Sequence, residues 1–277
     1  MAKTVLITGS SSGFGKEAAK LFQKNGWNVI ATMRSPEEET ELNTLENVLV
    51  TKLDVQNVDS IHSGIKAGIE KFDKIDVVVN NAGYGTFGVF ENATSEQIRR
   101  QFEVNVFGLM NVTQAILPHF RENKNGLFIN LSSMGGKITL PMMSLYHATK
   151  FAVEGFTESL FHELYSLNIH VKLIEPGGVD TNFGKTSMDY ISNTIKDYEP
   201  FLENANSYIQ KFLTERKAAT VENVAHTIFS AATDDKEQLR YVIGNDAQNF
   251  INHLHPQNDQ EYVSYMKQFF GTKNQTL

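Results

Sequence analysis

Tyr146 and Lys150 stand four residues apart, the spacing that stacks two side chains on one face of a helix. A phenol beside an ammonium is a tunable acid. Free tyrosine titrates near ~10, and a cation a few Å away favours the phenolate and lowers that value. A hydroxyl acidified in this way gives a proton to a carbonyl oxygen, or takes one from an alcohol, near neutral pH. Ser133 lies thirteen residues upstream, just past the apolar run Leu127-Phe128-Ile129-Asn130-Leu131, where its hydroxyl can hold the same oxygen. None of the other tyrosines has a lysine at that spacing. So short a pattern takes its meaning from the elements around it.

Those elements alternate. Strand-like runs occur at Val5-Leu6-Ile7, Trp27 to Thr32, Val48 to Leu53, Asp76 to Val79, Leu127 to Leu131, His170 to Ile174 and Arg240 to Gly244. Between them lie helical spacings over Lys16 to Lys24, through Ile61, Ile65, Ile69 and Phe72, and in one long stretch from Ser95 to Arg121. Another carries Tyr146 and Lys150 and continues through Phe156, Leu160 and Leu164. Near-continuous apolar strands separated by helices predict an α/β domain with a parallel sheet buried on both faces.

The first strand runs into Thr8-Gly9-Ser10-Ser11-Ser12-Gly13-Phe14-Gly15 and then a helix. Glycines there let the backbone turn tightly and approach a pyrophosphate, and the helix N-terminus offers unpaired N–H groups. Gly9, Ser11, Ser12, Gly13 and the backbone of Phe14 are therefore candidates to hold a dinucleotide. The sheet is read as a doubly wound, Rossmann-type sheet of about seven strands in a single domain, residues 1–245. Residues 246–277 form an extension with Phe250, Ile251, Tyr262, Met266 and Phe269, packed on that domain or on a neighbouring subunit.

An Asp or Glu after the second strand would accept from a free 2′-hydroxyl and repel a phosphate. This chain has Arg34 there, a fork-shaped partner for a 2′-phosphate. NADP(H) is favoured over NAD(H), although the acidic run Glu37-Glu38-Glu39, read as a solvated helix start, lies close by. Asp54, with Val55, is placed after strand three for the adenine. Asn81-Ala82-Gly83, after strand four, offers a flat edge to the adenosine ribose.

The net charge of −7 over 277 residues argues against nucleic acid or an anionic membrane as partner. Without cysteine there are no disulfides or thiolate metal sites. A strand-like run begins three residues after Met1, and no run reaches the ~20 apolar residues of a membrane helix, so a cytoplasmic protein is expected. His253 and His255 lack acidic or histidine company, and no metal is assigned.

The matches Thr8-Gly9-x3-Gly13-x-Gly15, Asp54, Asn80-Asn81-Ala82-Gly83, Asn105, Ser133, Tyr146-x3-Lys150, Pro176-Gly177 and Thr181 resemble the short-chain dehydrogenase/reductase family in order and spacing. Val29 to Arg34 and Tyr146 to Ala152 resemble its NADPH-dependent carbonyl reductases and its hydroxysteroid- and retinol-dehydrogenase-like members. The resemblance implies Tyr146 as acid/base and Lys150 as its cation and a ligand of the nicotinamide ribose. It implies Ser133 as holder of the substrate oxygen and Asn105 as holder of a water linking Lys150 to solvent. Pro176, Gly177, Val179 and Thr181 would hold the nicotinamide. Pairing through the fourth and fifth helices into a homodimer or homotetramer is implied by the same resemblance.

Residues 178–220 form a long stretch with Phe183, Met188, Tyr190, Ile191, Tyr198 and Phe201, read as a lid. With Met142, Met143, Leu145 and Thr86-Phe87 it would wall an apolar pocket for a small hydrophobic ketone, aldehyde or secondary alcohol. An NADPH preference would favour reduction. The competing readings are a non-catalytic NADP-binding regulator and an NAD-preferring alcohol dehydrogenase of the same family.

Overall fold

Successive residues of β1 (Thr4–Thr8) serve opposite faces of a sheet. In the computed structural model, which describes residues 2–179, 187–215, 218–254, 261 and 264, Val5 and Ile7 enter one core and Leu6 the other. The period of two divides every central strand in this way. An apolar run without polar interruption is therefore a strand covered on both sides.

The sheet has seven parallel strands in the order β3-β2-β1-β4-β6-β7-β9. They are β1, β2 (Asn28–Met33), β3 (Val48–Lys52), β4 (Val77–Asn80), β6 (Gly126–Leu131), β7 (Ile169–Pro176) and β9 (Arg240–Ile243). α1 (Gly13–Lys24) and α7 (Val221–Thr233) cover one face through Ala18, Ala19, Phe22, Val224, Ile228 and Ala231. α2 (Val58–Phe72), α4 (Leu109–Asn123) and α5 (Ser144–Leu164) cover the other through Ile61, Ile65, Val112, Ile116, Phe120, Leu160 and Leu164. This is the single-domain, doubly wound sheet that the sequence predicts. The strand order reverses between β1 and β4, which opens a crevice beyond their carboxyl ends.

Two elements depart from expectation. The long helix from Ser95 is α3 (Ser95–Phe102), a π-helical segment over Glu103–Gly108, and then α4. Such a wide turn is a common feature of functional sites, and this one holds Asn105, buried at 3 % exposure. In the stretch read as a lid, the described residues are largely regular. β8 (Met188–Tyr190) pairs in parallel with β5 (Gly85–Phe87), and α6 (Glu199–Glu215) follows. Thr181 and Phe183 lie outside the described residues, as do Tyr262, Met266 and Phe269. α8 (Asn245–Leu254) opens the C-terminal stretch.

Candidate active site

Gly9 has φ +69°, and a Cβ on it would stand 3.0 Å from the Ala82 Cα. Gly15 is closed by contact: a Cβ there would meet the Gly9 carbonyl and Asn81 Nδ2 at 2.5 Å. Asn81 Nδ2 donates to the carbonyls of Thr8 (2.8 Å) and Gly9 (3.0 Å). The Thr8 hydroxyl accepts from the amides of Asn81 and Ala82, both at 3.0 Å. Asn81, expected beside the ribose, thus spends its amide group holding the glycine loop. Gly13 has φ +55° and nothing within 4 Å of where its Cβ would be, so it faces open space. Phe14 turns its ring onto the core, leaving its backbone at the cleft.

The cleft above this loop measures about 980 Å³ and is lined by Gly9, Ser11, Ser12, Gly13, Phe14, Arg34, Asp54, Val55, Asn81, Ala82, Gly83, Tyr146 and Lys150. Thirteen of the expected ligand residues therefore share one cavity. Pro176, Gly177, Val179 and Ser133 are not in its lining. The Ser133 hydroxyl donates to the Pro176 carbonyl at 3.4 Å.

Arg34 is exposed at the rim, and no hydrogen bond or ion pair engages it among the described residues. Of the acidic run beside it, Glu37 and Glu38 are exposed, in line with a solvated helix start, and Glu39 alone departs from that reading. Pro36–Glu38 is a single 3-10 turn, and Glu39 is buried. Glu39 accepts from the amides of Glu41 (2.8 Å) and Leu42 (3.0 Å) and from Lys16 Nζ (3.0 Å). Lys16 and Lys20 also pair with Glu41. Asp54 caps its own turn through Oδ1, which accepts from the Gln56 amide at 3.0 Å.

Tyr146 and Lys150 share a face of α5, as their spacing predicts, with Nζ 5.7 Å from the ring centroid. Their electrostatics differ from expectation. Lys150 donates to the Leu131 carbonyl at 2.7 Å, and burial lowers its pKa to about 8, against the opposing charge of Glu154. Burial pushes the Tyr146 phenol up; a hydrogen bond with Ser133 draws it partly back. Desolvation outweighs the Ser133 hydrogen bond and sets the direction of the phenol's shift. Asn105 is engaged on all sides: its Nδ2 donates to the Tyr84 carbonyl (2.8 Å) and Thr149 Oγ1 (3.1 Å), and its Oδ1 accepts from the Tyr84 amide (3.0 Å). Thr149 in turn donates to the Tyr146 carbonyl at 2.7 Å.

His147 is the residue that sequence reasoning undervalued. It sits one position off the Tyr146–Lys150 face, where spacing gives it no part in the chemistry, and it is 4 % exposed. Its Nε2 accepts from the Leu140 amide at 2.8 Å. An amide only donates, so Nδ1 carries the proton and donates to the Gly135 carbonyl, also at 2.8 Å. The ring clamps both ends of the loop that follows Ser133. Gly135 leaves room for the ring: a Cβ there would stand 2.7 Å from His147 Nδ1.

The expected apolar pocket is corrected in part. Met188 lines the cleft, whereas Met142, Leu145 and Thr86 are buried. Tyr190 is exposed, with its ring 6.0 Å from that of Phe87.

A parallel seven-stranded sheet with a glycine-lined crevice at its switch point and a Tyr/Lys pair in that crevice defines a dinucleotide-dependent oxidoreductase. Residues 3–190 match the short chain dehydrogenase family, and the chain belongs to it. It is 42 % identical over 218 residues to an uncharacterised oxidoreductase of Schizosaccharomyces pombe, covering 76 % of this chain and 88 % of the relative. It is 39 % identical over 208 residues to a 3-ketodihydrosphingosine reductase of Bacteroides thetaiotaomicron, covering 75 % and 76 %. A solved short-chain dehydrogenase from Streptomyces avermitilis superposes with a TM-score of 0.83 at 31 % identity, over 96 % of this chain and 95 % of that one. The fold takes a nicotinamide dinucleotide, and the residues fit one: the cradle at Gly13 is open where any side chain would fill it. No described helix is long and apolar enough to cross a membrane.

Proposed function

We propose that the protein transfers hydride between NADP(H) and a hydrophobic ketone, aldehyde or secondary alcohol. The observation that carries this reading is the convergence of Arg34, the glycine loop, Tyr146 and Lys150 on one cleft. Arg34 is exposed with no ion-pair partner among the described residues, which leaves it free to take a 2′-phosphate; Glu39 and Glu41 are bound by Lys16 and Lys20, and Glu37 and Glu38 are exposed. An engaged arginine would carry no such preference.

The nicotinamide, when bound, gives or takes the hydride at its C4. The chain's own groups manage the proton and the charge. Tyr146 donates its phenolic proton to the carbonyl oxygen in reduction and takes it back in oxidation. Ser133 and Tyr146 hydrogen-bond that oxygen as negative charge develops on it. Lys150, held by the Leu131 carbonyl, keeps a cation in this buried corner and offsets the phenol's tendency to stay neutral. Asn105 positions Tyr84 and Thr149.

Met188, Leu131 and Val104 supply apolar lining, and similarity to a 3-ketodihydrosphingosine reductase supports a ketone with apolar substituents. Phe107 and Phe151 are exposed at 48 % and 45 % and support pairing of copies through the fourth and fifth helices.

The test is oxidation of NADPH and of NADH, followed by reduced-nicotinamide absorbance, with a panel of apolar ketones and aldehydes. Turnover with NADPH, at least tenfold better in kcat/KM than with NADH, is the expected result. Tight NADPH binding without turnover on any member would instead support a cofactor-binding regulator.

A further inference from the structure

Asp246 lies in the first turn of α8, beyond the last strand, in the stretch the family resemblance does not reach. Its carboxylate is buried at 8 % exposure. Oδ2 accepts from the Gly178 amide at 2.7 Å, across 68 positions of sequence. The adjacent Gly177 amide donates to the Ile243 carbonyl at 2.8 Å. Both amides of the Gly177-Gly178 turn are therefore tied to the segment 243–246.

The glycines around this carboxylate follow from its position. A Cβ on Gly244 would stand 2.5 Å from Oδ1, and one on Gly177 would press on the same oxygen. Gly244 has φ +100°, the left-handed region that favours glycine, and there the chain turns from β9 into α8. Oδ1 has no hydrogen-bond partner among the described residues. Burying a carboxylate with one oxygen unpaired is costly, and packing alone would favour an apolar side chain.

The next residue makes a second connection. Ala247 is fully buried and packs with Met134 and Ile138, in the loop that follows Ser133. Ser133 itself reaches the Pro176 carbonyl. One helix start thus holds two parts of the site in register: the 176–179 turn and the loop after the serine.

We propose that Asp246 is a positioning residue for the nicotinamide end of the cleft, latching the turn that begins at Pro176. The proposal rests on the NADP(H) reading above. The latch acts on the redox end only. The adenosine end is built by the glycine loop, Arg34 and Asp54, none of which Asp246 touches.

Asp246→Ala removes the latch. Asp246→Asn keeps an amide oxygen that can accept from Gly178 and serves as the rescue. Amide hydrogen exchange of the cofactor-free protein reads the latch directly. The amides of Gly177, Gly178 and Val179 should exchange at least tenfold faster in Asp246→Ala and near the wild-type rate in Asp246→Asn, while β1 and β4 are unchanged. With cofactor, Asp246→Ala should bind adenosine 2′,5′-bisphosphate within about twofold of wild type but lose roughly tenfold to a hundredfold in kcat, the scale of a hydrogen bond to a charged group. It should also transfer deuteride from both C4 faces of labelled NADPH, where wild type uses one.

Unchanged exchange at 177–179, or wild-type kcat with single-face transfer, overturns the proposal. So does a common loss of adenylate binding, kcat and melting temperature in both variants, which would mark a merely structural residue. Wild-type protein that neither binds NADPH nor transfers its label overturns the cofactor reading instead, and that result is distinct because the exchange experiment needs no cofactor.

Discussion

Lys150 donates to the Leu131 carbonyl at 2.7 Å, so the cation that shares a helix face with Tyr146 is anchored to the end of β6. The bond fixes the charge in a buried place. Burial lowers Lys150 to about 8 and raises the Tyr146 phenol.

A cation required for turnover is lost as pH rises through that value. The rate of hydride transfer is expected to fall above about pH 8 in single-turnover measurements. Lys150→Arg, which stays charged, should remove that limb while lowering the plateau, because its fork does not reproduce the single bond to Leu131. Tyr146→Phe should lose roughly 10²–10⁴ in rate with NADPH affinity retained. Retention of more than a tenth of the wild-type rate by Tyr146→Phe would exclude it as the proton donor.

Arg34 decides the 2′ position in this reading. Arg34→Asp removes a charge-assisted partner and installs an acceptor for a free hydroxyl. The KM for NADPH should rise about tenfold to a hundredfold, with a smaller fall for NADH. Glu39→Gln offers a contrast: it weakens the anchor of Lys16 and should leave the cofactor ratio within about threefold. An unchanged NADPH/NADH ratio in Arg34→Asp would refute the assignment.

His147 bears on stability as well as on site geometry. Burial lowers its pKa below 6.5, so the unfolded chain binds this proton before the folded one does. Its contribution is complete above about pH 6.5 and is lost as pH falls below that value, because a proton on Nε2 would face the Leu140 N–H. Equilibrium unfolding between pH 7.5 and 5 should show an acid loss that His147→Phe lacks. The variant itself should be less stable at pH 7.5 by about 2–4 kcal/mol, since it leaves the Leu140 amide and the Gly135 carbonyl unpaired.

Glu175 and Glu154 meet beneath Arg240, whose Nε lies 3.2 Å from Glu175 and 3.0 Å from Glu154. Burial, then the neighbouring Glu154 charge, raises Glu175 to about 8, so the pair holds one proton at neutral pH. A carboxyl with a raised pKa stabilises fully below its unfolded value near 4.5, and that stability is lost as pH rises through about 8. Glu175→Gln should therefore melt higher than wild type at pH 9 and much closer to it at pH 5. Equal pH slopes in the two proteins would argue against a shared proton.

The parallel sheet and the glycine loop were legible in the chain because both are written in local order. Apolar runs report strands covered on two faces, and a glycine triplet between strand and helix reports a turn that side chains would block. The Tyr146–Lys150 pairing was legible for the same reason, since helical spacing alone puts both on one face. The acidity of that pair was not legible. It depends on the carbonyl to which Lys150 turns and on how much solvent the fold removes, and neither follows from spacing. His147 and Asp246 escaped for a related reason. Their partners, Leu140 and Gly135 for one and Gly178 for the other, are backbone groups, which leave no residue type to read. The sequence by itself determined most of the groups that line the cleft; tertiary structure decided which groups are free, as Arg34 is, and which are committed to holding the site together, as Asn81, Asn105 and His147 are. A hydrogen bond across distant positions exists only once the sheet and its helices have brought them within 3 Å.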